Sequence, residues 1–582
     1  MTPVAGATAG PRPWALLILI AIAANLPSLF PGFIFDDHRI IEQNALVQET
    51  ERVAEIFTQG YWSVGERPVP NLYRPLTIVS FTLNRALFGP GALSFRLINL
   101  LLHAAAVVLV WAVARRLVRS DPPAGPAGDG WFEPAFLGGV LFAVHPAHTE
   151  ALGLVVGRAE LLAALGTLGC VLLFLEGRDR EREPGPGAAR WGPWGPYAAS
   201  LLCFACGFLS KENAVTAPVL AVLAGWLVLR WGFAWRYALA AAAAGALLLG
   251  LRVAVLGSLD PPGFTSFVDN PIAHVEWPAG FLTALKVVLR YAGLLFVPIT
   301  LSADYSFDAV PVVRTIADPA VIAGGGLLLA WPAAVILLAR TQRVAAYGIL
   351  WVGVSLLPVA NLLFPVGTVM AERLLYLPSA GLSLILAALV AGPLAADGRL
   401  APEQRGAMKV SMVLVLAAFT VRGLARYRDW QSDLALFRAA VEVVPRNVKA
   451  QFNYGAACET VGDDTAALGA YRRALEIHPP FAEAHYNLGG VHLRQREFGA
   501  AVRHLEEAVR LRPGDVQHLV NLGIALTGDD RPREALDPIG RALDLDRRND
   551  RALTALGNAH LAMGEAREAA RAYREAAGLR PG

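Results

Sequence analysis

The sequence predicts an all-α protein in which a polytopic helical membrane domain, residues 1–425, precedes an α-solenoid of helical repeats, residues 448–582. Two observations predict this division. Residues up to about 425 form a succession of long apolar runs, whereas the remainder carries Arg, Asp and Glu throughout. In that remainder a spacing of 34 residues recurs. With 55% apolar and 17% charged side chains, the chain is too apolar for an ordinary soluble protein.

A membrane-spanning helix requires about 20 predominantly apolar residues. The candidate stretches are 13–31, 94–118, 134–150, 155–176, 197–210, 213–231, 236–257, 281–301, 320–340, 345–364, 374–393 and 408–425. The first of them lacks a convincing small-x-small cleavage site before FPGFIFDD, so it is interpreted as an uncleaved span rather than a signal peptide.

The positions of Lys and Arg in short loops predict the orientation, because cytoplasmic loops are enriched in both. The loop residues concerned are Arg115, Arg116, Arg119, Arg178, Arg180, Arg182, Arg190, Arg230, Arg236, Arg340, Arg343, Arg399, Arg405 and Lys409. All of them are cytoplasmic if 281–301, which contains Lys286 and Arg290, enters the membrane without crossing it. About eleven crossings then result, with the first loop, 32–93, and the repeats on the extracytoplasmic side.

The C-terminal repeat is marked by proline, glycine and alanine at fixed positions. The 34-residue register aligns Pro445, Pro479, Pro513, Arg547 and Pro581, then Gly455, Gly489, Gly523 and Gly557, then Ala467, Ala501, Ala535 and Ala569, then Ala474, Ala508, Ala542 and Ala576. This period and these small residues are typical of tetratricopeptide repeats. Four repeats occupy 448–582, and 426–447 is predicted to be a linker and capping helix. Such arrays bind polypeptides in a concave groove; the alternative is a dimerisation or assembly surface.

Charge and cysteine content exclude other classes of function. The formal net charge of +3 gives no indication of nucleic acid as a partner. Cys203 and Cys206 form a C-x-x-C sequence, but they lie inside the apolar run YAASLLCFACGFL. They are therefore interpreted as small residues in the lipid phase rather than as a redox or metal site.

Seven polar clusters interrupt the apolar runs at the predicted extracytoplasmic surface: FDDHRI, LYRPLT, HPAHTEA, VGRAE, SKEN, LSADYSF and VMAERLLYLP. Ionisable groups near the hydrocarbon boundary cost free energy unless they pair or line a wet cavity, so their convergence predicts a functional site. Individually, Lys211 with Glu212 and Glu372 with Arg373 are also explained as interfacial pairs that end helices, and Arg74 as a loop anchor.

Asp36 and Asp37 are the predicted catalytic residues. Adjacent carboxylates point in different directions, so one would accept a proton and the other would hold an arginine or the acceptor. A carboxylate base suits the transfer of a glycosyl group to a hydroxyl, and basic residues suit a phosphate leaving group. The alternative is a cap that starts a helix at His38.

Further residues of the clusters are predicted to bind substrate. They are His38, Arg39, Tyr73, Arg74, His145, His148, Glu150, Arg158, Glu160, Lys211, Glu212, Asp304, Glu372 and Arg373. His145 and His148 have an H-x-x-H spacing, but no further metal ligand follows from it, so hydrogen-bonding roles are preferred and no metal is predicted.

The motifs also carry a family resemblance. FIFDDHRIIEQN, LYRPLTIVSFTLNRALFG, FRLINLLLH, HPAHTEALGLVVGRAELLAAL, LSKENAV, LSADYSF and FPVGTVMAERLLYLPSAGL, followed by the repeats, resemble the transmembrane and tetratricopeptide-repeat O-mannosyltransferases and their bacterial relatives. The resemblance implies a GT-C class membrane glycosyltransferase with a paired acidic motif in the first extracytoplasmic loop, here Asp36 and Asp37. The Ala-, Gly- and Arg-rich composition suggests a bacterial source, with undecaprenyl phosphate as the carrier in place of dolichyl phosphate and the sugar left open.

The sequence as a whole therefore predicts an inverting glycosyltransferase of the bacterial inner membrane. It would take a sugar from a polyprenyl-phosphate donor, with no covalently bound cofactor, and pass it to a hydroxyl, expected to be Ser or Thr of a protein held by the repeats. The alternatives are a transporter of a lipid-linked solute and a membrane-anchored scaffold for protein assembly.

Overall fold

The structure is a computed structural model that describes residues 12–62, 72–120, 133–182, 192–258, 265–391, 393 and 400–579. The predictions for Arg190, Arg399 and Pro581, and for part of the first loop, lie outside these described residues. The chain forms two compact units, which are residues 1–305 with 310–439, and residues 306–309 with 440–582. Every regular element in the described ranges is helical.

The first unit is built from helices whose bounds follow apolar runs. They are α1 Pro13–Asn25, α2 Ala45–Gln48, α3 Pro75–Phe88, α4 Ala92–Ser120, α5 Pro134–Val144, α6 His148–Gly153, α7 Arg158–Arg182, α8 Trp194–Ser210, α9 Ala217–Leu223, α10 Trp235–Leu256, α11 Trp277–Phe296, α12 Pro319–Leu338, α13 Arg343–Leu356, α14 Pro378–Ala391 and α15 Pro402–Arg426. Helix α16, Asp433–Val443, begins in the first unit and ends in the second. Proline opens α1, α3, α5, α12 and α15. Proline suits that position because the first helical N–H has no partner within the helix.

Every predicted apolar stretch coincides with a helical segment. In the described residues six helices are long and apolar enough to cross a membrane: Ala92–Ser120, Val155–Arg182, Trp235–Leu256, Trp277–Phe296, Pro319–Leu338 and Pro402–Arg426. Six shorter apolar helices accompany them: Pro13–Leu29, Pro134–Val144, Trp194–Ser210, Glu212–Val228, Arg343–Leu356 and Pro378–Ala391. The multi-pass helical fold is confirmed. The number of crossings, and whether 281–301 crosses, stay predictions.

The predicted first loop, 32–93, is largely helical where it is described. It contains α2, α3, a five-residue π-helical turn at His38–Glu42 and a 3₁₀ segment at Thr50–Phe57. A hydrophobic cluster holds these pieces together, with Ile40, Val47 and Phe81 completely buried. The loop is thus a packed layer with its own small core.

Helices α7 and α8 pack closely because glycine lies on both facing surfaces. A Cβ atom added at Gly166 would lie 2.6 Å from the Cα atom of Gly207, closer than any side chain allows. This approach brings the start of α7 next to the end of α8. Glu160 and Lys211, which lie at those two ends, thereby come into contact.

The second unit contains the helical pairs predicted from the 34-residue period. The pairs are α17 Val448–Thr460 with α18 Asp464–Ile477, α19 Ala482–Arg494 with α20 Phe498–Leu511, α21 Val516–Gly528 with α22 Pro532–Leu545, and α23 Asp550–Ala562 with α24 Ala566–Leu579. A Cβ at Gly455 would lie 2.6 Å from the Tyr471 ring, and one at Gly523 would lie 2.4 Å from Ile539. The aligned glycines therefore permit close packing within each pair, and the aligned alanines are buried.

Candidate active site

Asp37 is completely buried and both of its oxygens are engaged. Oδ2 accepts the Val155 N–H at 3.1 Å and lies 3.8 Å from the guanidinium of buried Arg96, while Oδ1 accepts the Val156 N–H at 3.0 Å. Burial raises the pKa of Asp37 to about 6, although Arg96 and the backbone N–H groups act to lower it. The carboxylate thus joins the loop after α1 to the 3₁₀ turn that precedes α7, and it does not cap its own helical turn.

Asp36 has a different environment from its neighbour. It is half-buried, and it lies within electrostatic range of Tyr61 and Arg373. The preceding Phe35 has a φ of +50°, a conformation that costs a β-carbon residue free energy unless surrounding contacts hold it. Those contacts come from α16, where Asp433 accepts the Phe35 N–H at 2.7 Å and Phe437 packs edge-on against its ring at 5.1 Å. Asp433 and Phe437 therefore fix the direction in which Asp36 projects.

Three acid–base groups form a network that reaches Asp36 through Arg373. Glu150 forms an ion pair with Arg373 and Glu160 forms one with Lys211. The Arg373 guanidinium lies in electrostatic range of both Glu160 and Asp36.

Glu212 completes this group by accepting hydrogen bonds from two arginines. Its Oε2 accepts the Arg74 Nη2 at 3.0 Å, and its Oε1 accepts the Arg252 Nη1 at 2.8 Å. Lys211 lies in electrostatic range of Arg74 and Arg373, so the three pairs form one network. Among their cations, Arg373 has the most accessible side chain, at 30% exposure, compared with 15% for Arg74 and 8% for Lys211.

The segment LSADYSF joins the network through Glu372. This carboxylate is fully buried, and its Oε1 accepts the Ser302 N–H at 2.5 Å and the Tyr305 hydroxyl at 2.8 Å. The neighbouring Asp304 is also buried. All seven polar clusters predicted from the sequence are therefore linked to one region, although Glu372 holds a backbone loop in place and does not face an open space.

Arg158 is predicted to bind substrate, but in the structure protein groups occupy its donors. Its Nε donates to Asn99 Oδ1 at 2.7 Å, and its Nη2 donates to Asn84 Oδ1 at 2.8 Å and to the Phe95 carbonyl at 2.9 Å. Its Nη1 donates to the Ser80 carbonyl at 3.1 Å, and the side chain is 1% exposed. These contacts favour a role in holding α3, α4 and α7 together, and a role in binding substrate stays a prediction.

His145 and His148 lie in a buried cluster of rings with His103 and Tyr376. His145 Nε2 is 2.9 Å from the Leu295 carbonyl, and His148 Nε2 is 2.8 Å from the Ser379 hydroxyl. Both rings therefore bind protein groups in the structure, and their role in binding substrate stays a prediction. Within the described ranges, no group of three or more His, Cys, Asp or Glu side chains is arranged to hold a metal ion.

The remaining candidates lie at the edge of the network. His38 Nδ1 is 2.5 Å from Glu42, and its Nε2 is 3.3 Å from Asp433. Partial burial lowers the pKa of His38, whereas the hydrogen bond with Glu42 and the charge of Asp433 raise it. The second effect is larger, so the pKa of His38 is raised overall. Exposed Arg39 stacks on Trp62, and buried Tyr73 donates its hydroxyl to the Phe57 carbonyl at 3.0 Å.

Several residues of the network were absent from the sequence prediction. Arg96 and Asn99 interrupt an apolar helix, and a polar residue inside a span is a signal that could have identified them. Arg252, in α10, carried the same signal. Asp433 lies 398 residues from Phe35, and nothing in its local sequence indicates this contact.

The fold and the polar network define a class of protein, namely a multi-pass helical membrane protein that combines a charged surface site with a tetratricopeptide array. Residues 258–331 match the family described as Protein O-mannosyl-transferase TMTC, DUF1736. Residues 422–482, 467–516, 486–550 and 550–582 match tetratricopeptide repeats. The resemblance inferred from the motifs is thereby confirmed.

Similar proteins carry the corresponding names. The chain is 29% identical over 504 residues to human Protein O-mannosyl-transferase TMTC4, covering 78% of this chain and 65% of that protein. It is 27% identical over 469 residues to Protein O-mannosyl-transferase F38B6.6 of Caenorhabditis elegans, covering 79% and 61%. The chain thus spans somewhat less than two thirds of the length of these relatives. Among solved structures, MamA is 20% identical with a TM-score of 0.24, covering 25% of this chain and 85% of that one.

Proposed function

We propose that this chain is a membrane glycosyltransferase that moves a sugar from a polyprenyl-phosphate donor to the hydroxyl of a protein Ser or Thr. The observation that carries the proposal is the position of Asp36, which is half-buried and within electrostatic range of a partly exposed Arg373, in a chain similar to named O-mannosyl-transferases. A base next to a cation is what transfer of a sugar from a phosphate to a hydroxyl requires.

In the proposed reaction Asp36 is the general base. Its carboxylate takes the proton of the acceptor hydroxyl as the oxygen attacks the anomeric carbon. The bond between that carbon and the phosphate oxygen breaks, and the polyprenyl phosphate leaves with the bonding electrons. A single displacement of this kind inverts the anomeric configuration.

Arg373 is the proposed ligand of the leaving phosphate. Its backbone N–H and guanidinium both bind Glu150, with the N–H at 2.8 Å, so the side chain is held in one direction while part of it stays accessible. A pre-positioned cation stabilises the negative charge that develops on the phosphate without reorganising during the reaction. Lys211 lies within electrostatic range of Arg373 and adds a second cation to the proposed site.

Asp37 has a positioning role in this proposal. Although a pKa of about 6 would suit a base, its oxygens are covered by two backbone N–H groups and by Arg96, and the side chain has no accessible surface. In this proposal Asp36 takes part in the reaction, whereas Asp37 stabilises the fold of the loop.

Two further parts of the proposal are the side of the membrane on which transfer occurs and the nature of the acceptor. Asp36 is proposed to lie outside the cytoplasm, and the positive charge of the short loops supports that orientation. Tetratricopeptide arrays bind polypeptides, which suits a protein acceptor. Mannose is the sugar named for the relatives, and undecaprenyl phosphate is the carrier that a bacterial inner membrane would supply.

The test uses the purified full chain in vesicles with radiolabelled undecaprenyl-phosphate mannose and, as acceptor, secreted proteins from a strain lacking this gene. We expect label in protein that β-elimination releases, and none with the Asp36→Asn variant. Label that crosses the membrane without joining protein would favour a transporter. Full transfer by Asp36→Asn would refute the assigned base.

A further inference from the structure

A second polar feature lies at the other end of the membrane unit. The apolar helical segment Glu212–Val228 starts in the charged network and ends next to Arg230. At about 1.5 Å per residue, its 17 residues separate the two places by about 25 Å, most of the thickness of a bilayer core. An open pocket of ≈ 390 Å³ lies at this far end.

Arginine and aromatic side chains line this pocket. Arg230 follows the helical segment, and Arg343 opens α13, so the two cations come from different parts of the fold. Trp226 and Phe233 are 55% and 60% exposed, as expected of rings that face lipid. No acidic side chain is among the described residues that line the pocket.

The wall of the pocket is fixed in place. Buried Trp231 donates its backbone N–H to the Gly225 carbonyl at 2.9 Å, and the guanidinium groups of Arg178 and Arg182 lie over its ring. Arg178 also donates to the Gly232 carbonyl at 3.0 Å. The adjacent Arg230 has a φ of +54°, which turns the chain sharply at this point. The loop that presents Arg230 therefore has a defined conformation.

We propose that this pocket binds the headgroup of an anionic phospholipid of the cytoplasmic leaflet. Guanidinium groups bind phosphate oxygens through two parallel hydrogen bonds, and aromatic residues anchor proteins at the membrane interface. Basic pockets between membrane helices on the cytoplasmic side are typical sites for anionic headgroups. The site is separate from the Asp36 network, and its occupation does not depend on the proposed transfer reaction.

The experiment measures lipid retention by the delipidated full chain in detergent, using native mass spectrometry with phosphatidylglycerol, phosphatidylcholine and undecaprenyl phosphate as probes. We expect phosphatidylglycerol to bind at least about tenfold more tightly than phosphatidylcholine. The loss should be about fivefold for Arg230→Gln and about 25-fold for Arg230→Gln with Arg343→Gln. Arg230 is exposed, so the single variant should fold even if the double variant does not.

Arg314→Gln is the matched control. Arg314 is also exposed, but α12, whose 20 residues span about 30 Å, separates its segment from Ala339 at the pocket. This variant should bind phosphatidylglycerol as the unaltered chain does. Equal binding of the two phospholipids, or unchanged binding of phosphatidylglycerol by Arg230→Gln, would each overturn the proposal. So would an Arg230→Gln variant that loses undecaprenyl phosphate and keeps phosphatidylglycerol, because the pocket would then bind the carrier lipid.

Discussion

Replacing the two adjacent carboxylates one at a time should separate catalysis from folding. Asp36→Asn removes the proposed base while keeping the side-chain shape, so we expect transfer to fall by about 10²–10⁴-fold. Because Asp36 is only half-buried, the apparent melting temperature should change little.

Asp37→Ala should instead lower the free energy of unfolding. It leaves the N–H groups of Val155 and Val156 and the charge of Arg96 buried without an acceptor, which costs about 3–5 kcal/mol. For the first unit, with an unfolding entropy of about 2 cal/mol/K per residue, that corresponds to a fall of about 4 °C. Asp37→Asn keeps one oxygen acceptor and should retain transfer within about tenfold per folded molecule.

The assays are radiolabel transfer, normalised to folded protein, and thermal unfolding in detergent. The two roles would be reversed if Asp37→Asn lost transfer at an unchanged melting temperature while Asp36→Asn stayed active. A melting temperature of Asp37→Ala equal to that of the unaltered chain would refute the energetic reasoning.

Further predictions concern the residues around Asp36 and the effect of pH. Arg373→Gln should lower kcat by about 10²–10³-fold with little effect on acceptor KM, because it removes a charge that stabilises the leaving phosphate; an unchanged kcat would contradict this. Arg158→Lys should lower the apparent melting temperature and leave KM for the donor unaltered, since its donors bind protein groups. Asp433→Ala should reduce kcat by about tenfold, since it frees the strained Phe35, and Asp433→Asn should restore most of it. Because burial raises the pKa of Asp37 from 3.8 to about 6, the folded state holds a proton that the unfolded state has lost between these values. Stability should therefore fall by about 3 kcal/mol as pH rises through this range. Thermal unfolding at several pH values should show this dependence, and Asp37→Asn should lack it.

The sequence by itself determined the helical architecture of both parts. Each predicted apolar stretch coincides with a helical segment because apolar length and composition are local properties that the bilayer selects directly. The sequence also predicted the register of the repeats. A side chain packs so closely against the aligned glycines, such as Gly455, that no Cβ atom would fit there, and glycine therefore recurs at the repeat period. The polar motifs between spans correctly indicated which segments would come together.

Only the tertiary structure decided which groups each polar residue contacts. Asp36 and Asp37 are adjacent residues of the same type, yet the carboxylate of Asp37 accepts hydrogen bonds from Val155 and Val156, more than 100 residues away. The donors of Arg158, which is predicted to bind substrate, bind Asn99 and other groups of α3 and α4 in the structure. Such pairings depend on which helices pack together and on which face, and no local period of the sequence records them.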